Sequence, residues 1–506
     1  MFHKILLSLL SALLLFFSWP PNGFSPIALV AFVPLFYLFK TLDKKREIFL
    51  YSFLTFLLWN FSTTYWIMHA SFLGMILAVL VNSTLKSIVI LISFYIKKKF
   101  DLKRAWWALL CFWLTFEYIH LNWDLTWPWL HLGNVFSSQV NLIQWYEYTG
   151  ILGGTFWVLI ANLFIVQAIS IKYYRYASFL VVLFPLIISF LIKNEPIPKK
   201  KLNFVVVQPN VDPYFEKFDK FSESEQLDNF LELAKSKIDN TTDYLIGPET
   251  ALVKEIWESK VDQANSIKKL KDLIKLYPNL KIILGATTVK VYDSKKTNTS
   301  RKFRNSTMYY DVFNSALQIS KEDVQIYRKS KLVQGVEFIP FDKVLGWIDF
   351  LTIDLGGTSG SLGTQAERSV FTNKFQKVAP IICYESIYGE FISGFVRNGA
   401  EILTVITNDG WWKDTPGYQQ HLQLSCLRAI ETRRVLVRSA NTGISAFISQ
   451  NGQIMESTNW DEAIVISKQM PTFSKITFYV KYGDYIGRIS SFLSVLFICF
   501  LIAKRK

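Results

Sequence analysis

The chain has 506 residues, 51% of them hydrophobic and 16% aromatic, with 55 Lys and Arg against 40 Asp and Glu for a net charge of +15. So apolar a composition excludes a wholly soluble enzyme, and the length leaves room for more than one domain. The positive charge lies in short clusters beside apolar runs, with no basic recognition helix, zinc spacing or aromatic RNA-binding motif, so no nucleic-acid partner is expected.

The first half of the chain reads as membrane. An apolar run at 5–19 is broken by Pro20-Pro21-Asn22-Gly23 and resumes at 24–39. Lys4 ahead of the first run suits a signal peptide. However, no small-x-small cleavage site follows and a second run begins almost at once, so an uncleaved helical hairpin is expected. Further apolar segments at 48–68, 72–96, 104–120, 146–171 and 175–193, and a last one at 487–503, bring the expected spans to eight, seven before a soluble region and one after it. Several exceed the length needed to cross about 30 Å of hydrocarbon at about 1.5 Å per residue.

Charge placement orients these spans. Lys44-Lys45-Arg46, Lys97-Lys98-Lys99, Lys172 with Arg175, and Lys504-Arg505-Lys506 all follow even-numbered segments, whereas loops 20–23, 69–71 and 121–145 hold no Lys or Arg. The positive-inside rule makes the even loops cytoplasmic. The expected organisation is therefore a transmembrane domain at 1–193, an extracytoplasmic domain at 194–486 (periplasmic in a cell with two membranes) and a C-terminal helix with a basic tail at 487–506.

Two charges, Lys86 and Glu117, interrupt the apolar segments. Each either faces a cavity or partner or snorkels to the headgroups. The aromatic outer loop from Trp127 through Trp129 to Gly133 is either an interfacial belt or the wall of a lipid portal.

After a linker at 194–201 the pattern changes to short strands at 202–207, 243–247, 281–285, 306–311, 324–328, 378–383, 401–407 and 444–449. Polar helices are predicted at 221–238, 262–276 and 417–438, and Asn451-Gly452 marks a hairpin turn. Three of the strands end on ionisable groups. Tyr244-Leu245-Ile246-Gly247-Pro248 runs into Glu249, Val324-Gln325-Ile326-Tyr327-Arg328 delivers Lys329, and Val378-Ala379-Pro380-Ile381-Ile382 delivers Cys383, followed by Tyr384 and Glu385. A base, a cation and a thiol held at rigid strand ends are the components of acyl transfer through a thioester.

The competing reading of Cys383 is a core cysteine. Of the four cysteines, Cys111 and Cys499 lie in apolar runs and Cys426 in a helix-like stretch, and no C-x-x-C occurs. Neither a disulfide framework nor a zinc or redox pair is expected, and no cofactor. A thiol with an ordinary pKa of about 8.5 needs a base at neutral pH. Glu249 fits that role, with seclusion expected to raise its pKa. Lys329 and the backbone N–H of Tyr384 are the donors for the oxyanion that forms on attack.

These residues resemble the Glu-Lys-Cys triad of the nitrilase superfamily. More narrowly, Lys329 followed eight positions later by Glu337-Phe-Ile-Pro, together with Glu117 and Trp-Pro-Trp129-Leu-x-x-Gly, resembles the apolipoprotein N-acyltransferases. The resemblance implies an α-β-β-α sandwich for the soluble domain, functional importance for Glu337 and Glu385, and no metal. It also implies a phospholipid acyl donor, a diacylglyceryl apolipoprotein acceptor, and a place in a bacterial inner membrane.

Phe218 falls where the family tends to carry tryptophan, and with Trp129, Trp411 and Trp412 it is a candidate substrate contact. Gln334-Gly335-Val336 departs from the usual Pro-Phe-Gly, which puts the hinges of any lid there in question. His421 is read as a packing or capping residue, because the triad already has its base. The rival functions are a tethered nitrilase-type amidase, with water as acceptor, and a non-catalytic lipid-binding scaffold in which Cys383 merely packs.

Overall fold

The computed structural model describes residues 1–192, 197–214, 217, 222–338, 361–373 and 376–503. It divides into two compact units. The first comprises Met1–Asn194, Gln419–Leu427 and Thr477–Lys506, and the second Glu195–Tyr418 and Arg428–Ile476.

The first unit is helical. Helices occupy each predicted apolar segment: Phe2–Ser18, Ser25–Thr41, Lys45–Thr64, Phe72–Lys99, Leu102–His120, Tyr146–Ala168, Tyr173–Leu191 and Tyr485–Ala503. Four of these (Phe72–Lys99, Tyr146–Ala168, Tyr173–Leu191 and Tyr485–Ala503) are long and apolar enough to cross a membrane, while Phe2–Ser18 and Ser25–Thr41 are shorter.

Neither buried charge snorkels. Glu117 is fully buried and accepts from Trp113 Nε1 (3.0 Å), Leu132 N (2.9 Å) and Thr155 Oγ1 (2.6 Å). It thereby pins the loop that follows its own helix to helix Tyr146–Ala168, and three donors offset the cost of burying its carboxylate. Lys86, also buried, donates to Asn82 Oδ1 at 2.9 Å and lies 5.5 and 5.6 Å from the ring centroids of Trp59 and Phe116. These are the partners an ammonium needs away from water.

The second unit is built on two sheets. The first uses β1 (Lys201–Gln208), β2 (Tyr244–Ile246), β3 (Leu252–Trp257), β4 (Lys281–Tyr292), β5 (Arg301–Lys302), β6 (Tyr309–Ile319) and β7 (Val324–Arg328). The second uses β8 (Phe371–Asn373), β9 (Gln376–Ile382), β10 (Ile402–Thr407), β11 (Leu436–Ala440), β12 (Ala446–Ile448) and β13 (Ile454–Ser457), after which β14 (Ile464–Pro471) returns to pair with β1. The orders are β14-β1-β2-β4-β6-β5, with β3 on β4 and β7 on β6, and β13-β12-β11-β10-β9-β8.

Helices Glu223–Lys235 and Asn265–Leu276 bury Leu227, Phe230, Ile267 and Leu270 against Val205, Leu245 and Ile282 of the first sheet. Burying an aliphatic or aromatic side chain stabilises by about 1.5–3 kcal/mol, so this layer is a main source of the unit's stability. The two sheets are also bonded to each other, Ser439 Oγ to Val207 O (2.9 Å) and Tyr244 Oη to Gln376 Oε1 (2.8 Å).

Three differences from the sequence reading have physical causes. The strand expected at 306–311 runs to Ile319, because Asn314 and Ser315 are polar residues paired inside a buried ladder with β4. The helix expected at 417–438 ends at Thr432, where Arg433 takes a left-handed backbone (φ +50°) without the glycine that usually signals such an end. Residues 436–440 are then released into β11. Strands β3, β5, β8, β11, β13 and β14 escaped detection because each is short or depends on a distant partner, as β14 does on β1.

Candidate active site

Sheet topology brings the ionisable strand ends to two rims. In the second sheet β9, β10 and β11 are mutually parallel, with Ile382 opposite Ile406 and Thr407 opposite Ala440. Cys383, Asn408 and Asn441 therefore leave the same edge. Val378–Ile382 is fully buried, as expected of a parallel strand covered on both faces. Pro380 is tolerated because β8 pairs only as far as Val378. In the first sheet β2 runs parallel to β4, and β7 and β4 both run antiparallel to β6. The Glu249 turn and Lys329 thus also leave a common rim.

Glu249 Oε1 accepts from Lys329 Nζ (3.1 Å) and Asn314 Nδ2 (2.8 Å), and its Oε2 accepts from Asn408 N (3.1 Å). Glu337 Oε1 accepts from the same two donors, Lys329 Nζ and Asn314 Nδ2, each at 2.9 Å, while its Oε2 accepts from Val333 N (2.8 Å). Glu249 and Lys329 are buried and Glu337 is half-buried, and the Asn408 bond ties one sheet's rim to the other's. A second cation sits behind it: buried Lys217 donates to Glu249 O (3.1 Å) and to Thr250 Oγ1 (2.6 Å).

Cys383 is half-buried on a left-handed backbone (φ +49°) at the turn leaving β9. That turn is clasped by Glu385, which is fully buried. Its Oε2 accepts from Ile382 N (2.9 Å), and its Oε1 accepts from Ser330 N (2.6 Å) and Tyr327 Oη (2.7 Å). One carboxylate thus joins the residue before Cys383 to the residue after Lys329.

The electrostatics follow from burial and pairing. Burial pushes the Glu249 carboxyl up, but Lys329, Asn314 and Lys217 together outweigh it, and its pKa falls below the usual 4.5. This corrects the expectation that seclusion raises it. Burial would lower the Lys329 pKa, yet Glu249, Glu337 and Cys383 hold it well above 10.5. The Cys383 thiol is pushed well up by burial and by Glu249, against the pull of Lys329. At neutral pH the site therefore holds a carboxylate, an ammonium and a neutral thiol. Burial takes the Glu385 carboxyl up to about 7 despite its three donors, and the Lys217 ammonium down to about 8 against the attraction of Glu249.

The other predicted residues lie as follows. Tyr384 is buried in the turn after Cys383, its ring edge-on to Tyr388 at 5.4 Å. Trp411 and Trp412 are half-buried on the turn after β10, and Tyr214 Oη donates to Trp411 O at 2.6 Å. Trp129 belongs to the helical unit, where it is buried, stacks on Trp127 (5.4 Å, 9°) and donates from Nε1 to Gln420 Oε1 (2.7 Å). His421, in the same unit, is buried with its ring 5.8 Å from that of Trp129. Phe218 lies outside the described residues.

Sequence reasoning missed Asn314 and Lys217. It also missed the buried pair Asp409–Arg438 (2.5 Å), whose carboxylate takes Thr407 Oγ1 at 2.8 Å. The available signal was a polar residue inside an apolar strand, as at Asn314, since such groups are retained only with partners.

The α/β unit is of the carbon–nitrogen hydrolase class, whose family model matches residues 206–472, more than half of the chain. The model for the apolipoprotein N-acyltransferase N-terminal domain matches residues 11–164. An apolipoprotein N-acyltransferase of Chlorobaculum tepidum is 28% identical over 504 residues, covering 96% of this chain and 93% of that relative. One of Geobacter metallireducens is 27% identical over 500 residues, covering 95% and 91%. Among solved structures, a branch 10 nitrilase-superfamily protein of Saccharomyces cerevisiae aligns with a TM-score of 0.39 at 15% identity, over 55% of this chain and 93% of that one. The chain belongs to the apolipoprotein N-acyltransferases, within the carbon–nitrogen hydrolase family.

Proposed function

We propose that the chain transfers a fatty acyl group from a membrane phospholipid, through a thioester on Cys383, to the α-amino group of an N-terminal diacylglyceryl-cysteine on an apolipoprotein. The bonded Glu249–Lys329–Glu337 array, coupled to the Cys383 thiol, carries this reading in a chain matched along almost its whole length by acyltransferases of that name. Glu249 is the general base, Lys329 the oxyanion stabiliser and Cys383 the nucleophile. Glu337, Tyr384 and Glu385 support them, and Phe218, Trp129, Trp411 and Trp412 are the candidate substrate-binding residues.

Because the thiol is neutral at rest, its proton passes to Glu249 as sulfur attacks the ester carbonyl and the S–C bond forms. Negative charge then builds on the carbonyl oxygen. Lys329 commits two of its three N–H groups to the two glutamates, and the third, with Tyr384 N–H, stabilises that oxyanion. On collapse the C–O bond breaks, the glycerol oxygen takes the proton from Glu249, and lysophospholipid leaves. In the second half-reaction the lipoprotein amine attacks the thioester and Glu249 takes its proton. The amide forms, and sulfur leaves and is reprotonated.

The eight helices are read as eight spans. On that topology residues 1–193 form the transmembrane domain, 194–486 the extracytoplasmic catalytic domain and 487–506 the C-terminal anchor, in the inner membrane of a bacterium. Positive loops on one side support this orientation.

The test is the mass of a lipoprotein's N-terminal peptide from cells with the chain, without it, and with Cys383→Ala. The third acyl group should be present only with the intact chain. Triacylated peptide in Cys383→Ala cells, or release of free fatty acid with no N-acyl product, refutes the proposal. A reporter fused within the 194–486 region and found active in the cytosol refutes the topology.

A further inference from the structure

Most of the positive charge near one end of the helical unit is answered within the protein. Lys4 pairs with Glu47 (2.6 Å) and Lys98 with Asp43 (2.5 Å). Lys97 donates to the carbonyls of Phe39, Lys40 and Leu42 at 2.7–2.8 Å, satisfying the end of helix Ser25–Thr41.

Lys45 and Arg46 differ. Both are exposed in the first turn of helix Lys45–Thr64, and among the described residues no carboxylate pairs with either. A helix N-terminus repels cations, so helix stability does not explain two of them there. The positive-inside rule accounts for the sign of the charge in this loop but not for what lies beneath it. Helices Lys45–Thr64 and Phe72–Lys99 leave a groove of about 480 Å³ lined by Lys45 and Arg46 above and by Phe49, Leu91, Ile92 and Tyr95 below. Lys45 Nζ lies 4.2 Å from the Tyr95 ring centroid, which holds the ammonium across the groove.

We propose that this groove is a binding site for an anionic phospholipid, with an acyl chain along Phe49, Leu91 and Ile92 and the headgroup phosphate between Lys45 and Arg46. The inference rests on the reading that these helices span a membrane. A soluble anion would leave the apolar walls uncovered, and a zwitterionic headgroup brings an ammonium that the two cations repel. Only an amphiphile with a negative head answers both surfaces. Tyr95 lies at the depth where interfacial aromatics meet headgroups. The site shares no residue with the candidate active site, so its lipid is a resident ligand and not the acyl donor.

The experiment uses the full chain reconstituted in nanodiscs of equal phosphatidylglycerol and phosphatidylcholine with matched acyl chains, then released for native mass spectrometry. Two juxtamembrane cations favour anionic over zwitterionic lipid by roughly thirtyfold, and that preference for one retained phosphatidylglycerol is expected of the wild type. The double variant Lys45→Gln, Arg46→Gln should retain the two lipids equally. Ile92→Trp, which fills the trough and keeps the charges, should lose the retained lipid. The pair Lys103→Gln, Arg104→Gln should behave as wild type.

No preference in the wild type overturns the proposal, as does a preference that survives both the charge variant and Ile92→Trp. Equal retention of phosphatidylcholine identifies annular lipid only and also overturns it. If the charge variant does not fold, Ile92→Trp decides alone. Resistance to carbonate extraction tests the membrane reading separately, and acyl-enzyme formation at Cys383 on the same samples tests the enzymatic one.

Discussion

Replacing Glu249 by Gln changes one carboxylate oxygen for an NH2 group at constant size, and the surrounding bonds fix what that does. Oε1 serves Lys329 Nζ and Asn314 Nδ2, and Oε2 serves Asn408 N–H. Every partner is a donor, so one set must meet the new NH2 whichever way the amide turns. Turned towards Lys329, it would strip an acceptor from a buried ammonium. Turned towards Asn408, it orphans one backbone N–H, the cheaper choice, at about 1–3 kcal/mol of unfolding free energy.

The effect on chemistry is larger. A positioned general base contributes roughly 10²–10⁴-fold. Burial, the larger cause of the raised Cys383 pKa, persists when the Glu249 charge is removed, so little thiolate forms without a base. The loss therefore belongs near the upper end, about 10⁴-fold. Single-turnover formation of the Cys383 thioester from a chain-labelled phospholipid at pH 7, followed by intact mass, reads this directly. A Glu249→Gln enzyme that acylates within tenfold of wild type would refute the assignment of the base.

Lys217→Met removes the donor to Glu249 O and Thr250 Oγ1, and acyl-enzyme formation should fall about tenfold. The folded-state pKa of Lys217, about 8, lies below the ordinary 10.5, so the fold binds fewer protons than the unfolded chain between those values. Its contribution to stability rises with pH across that window, and denaturant unfolding from pH 8 to 10.5 should show a shallower rise in the variant. Glu385 has the opposite sign. With a folded pKa of about 7 against 4.5, its contribution is fully present below pH 4.5 and is lost as pH rises through 7, and Glu385→Gln should remove that slope in urea unfolding between pH 4.5 and 7.5. Gly285→Ala would place a methyl 2.6 Å from Glu249 Cα, displacing the turn that carries the proposed base. It should cost about 1–3 kcal/mol in thermal unfolding and lower the acylation rate by more than Lys217→Met does.

The residues at the ends of β2, β7 and β9 were legible because an apolar strand that stops on Glu, Lys or Cys is visible in one dimension. Their supporting residues were not. Asn314 reaches Glu249 across 65 positions and Lys217 across 32, contacts that only sheet pairing and a loop crossing create. The sign of the Glu249 shift was likewise hidden, since burial alone points upward and only the count of nearby cations reverses it. In the helical unit the apolar segments announced their own helices. The three donors that hold Glu117 come from its own helix, the loop beyond it and the next helix, so no single stretch of sequence revealed them.

The positive φ at Cys383, the proposed nucleophile, weighs on which residues could replace it in a descendant of this chain. Serine shares cysteine's unbranched Cβ and fits that backbone, whereas threonine adds a second γ substituent, a strain the chain already carries at Thr250 (φ +48°). An alcohol-based lineage could thus arise here at less conformational cost by a serine exchange than by a threonine one.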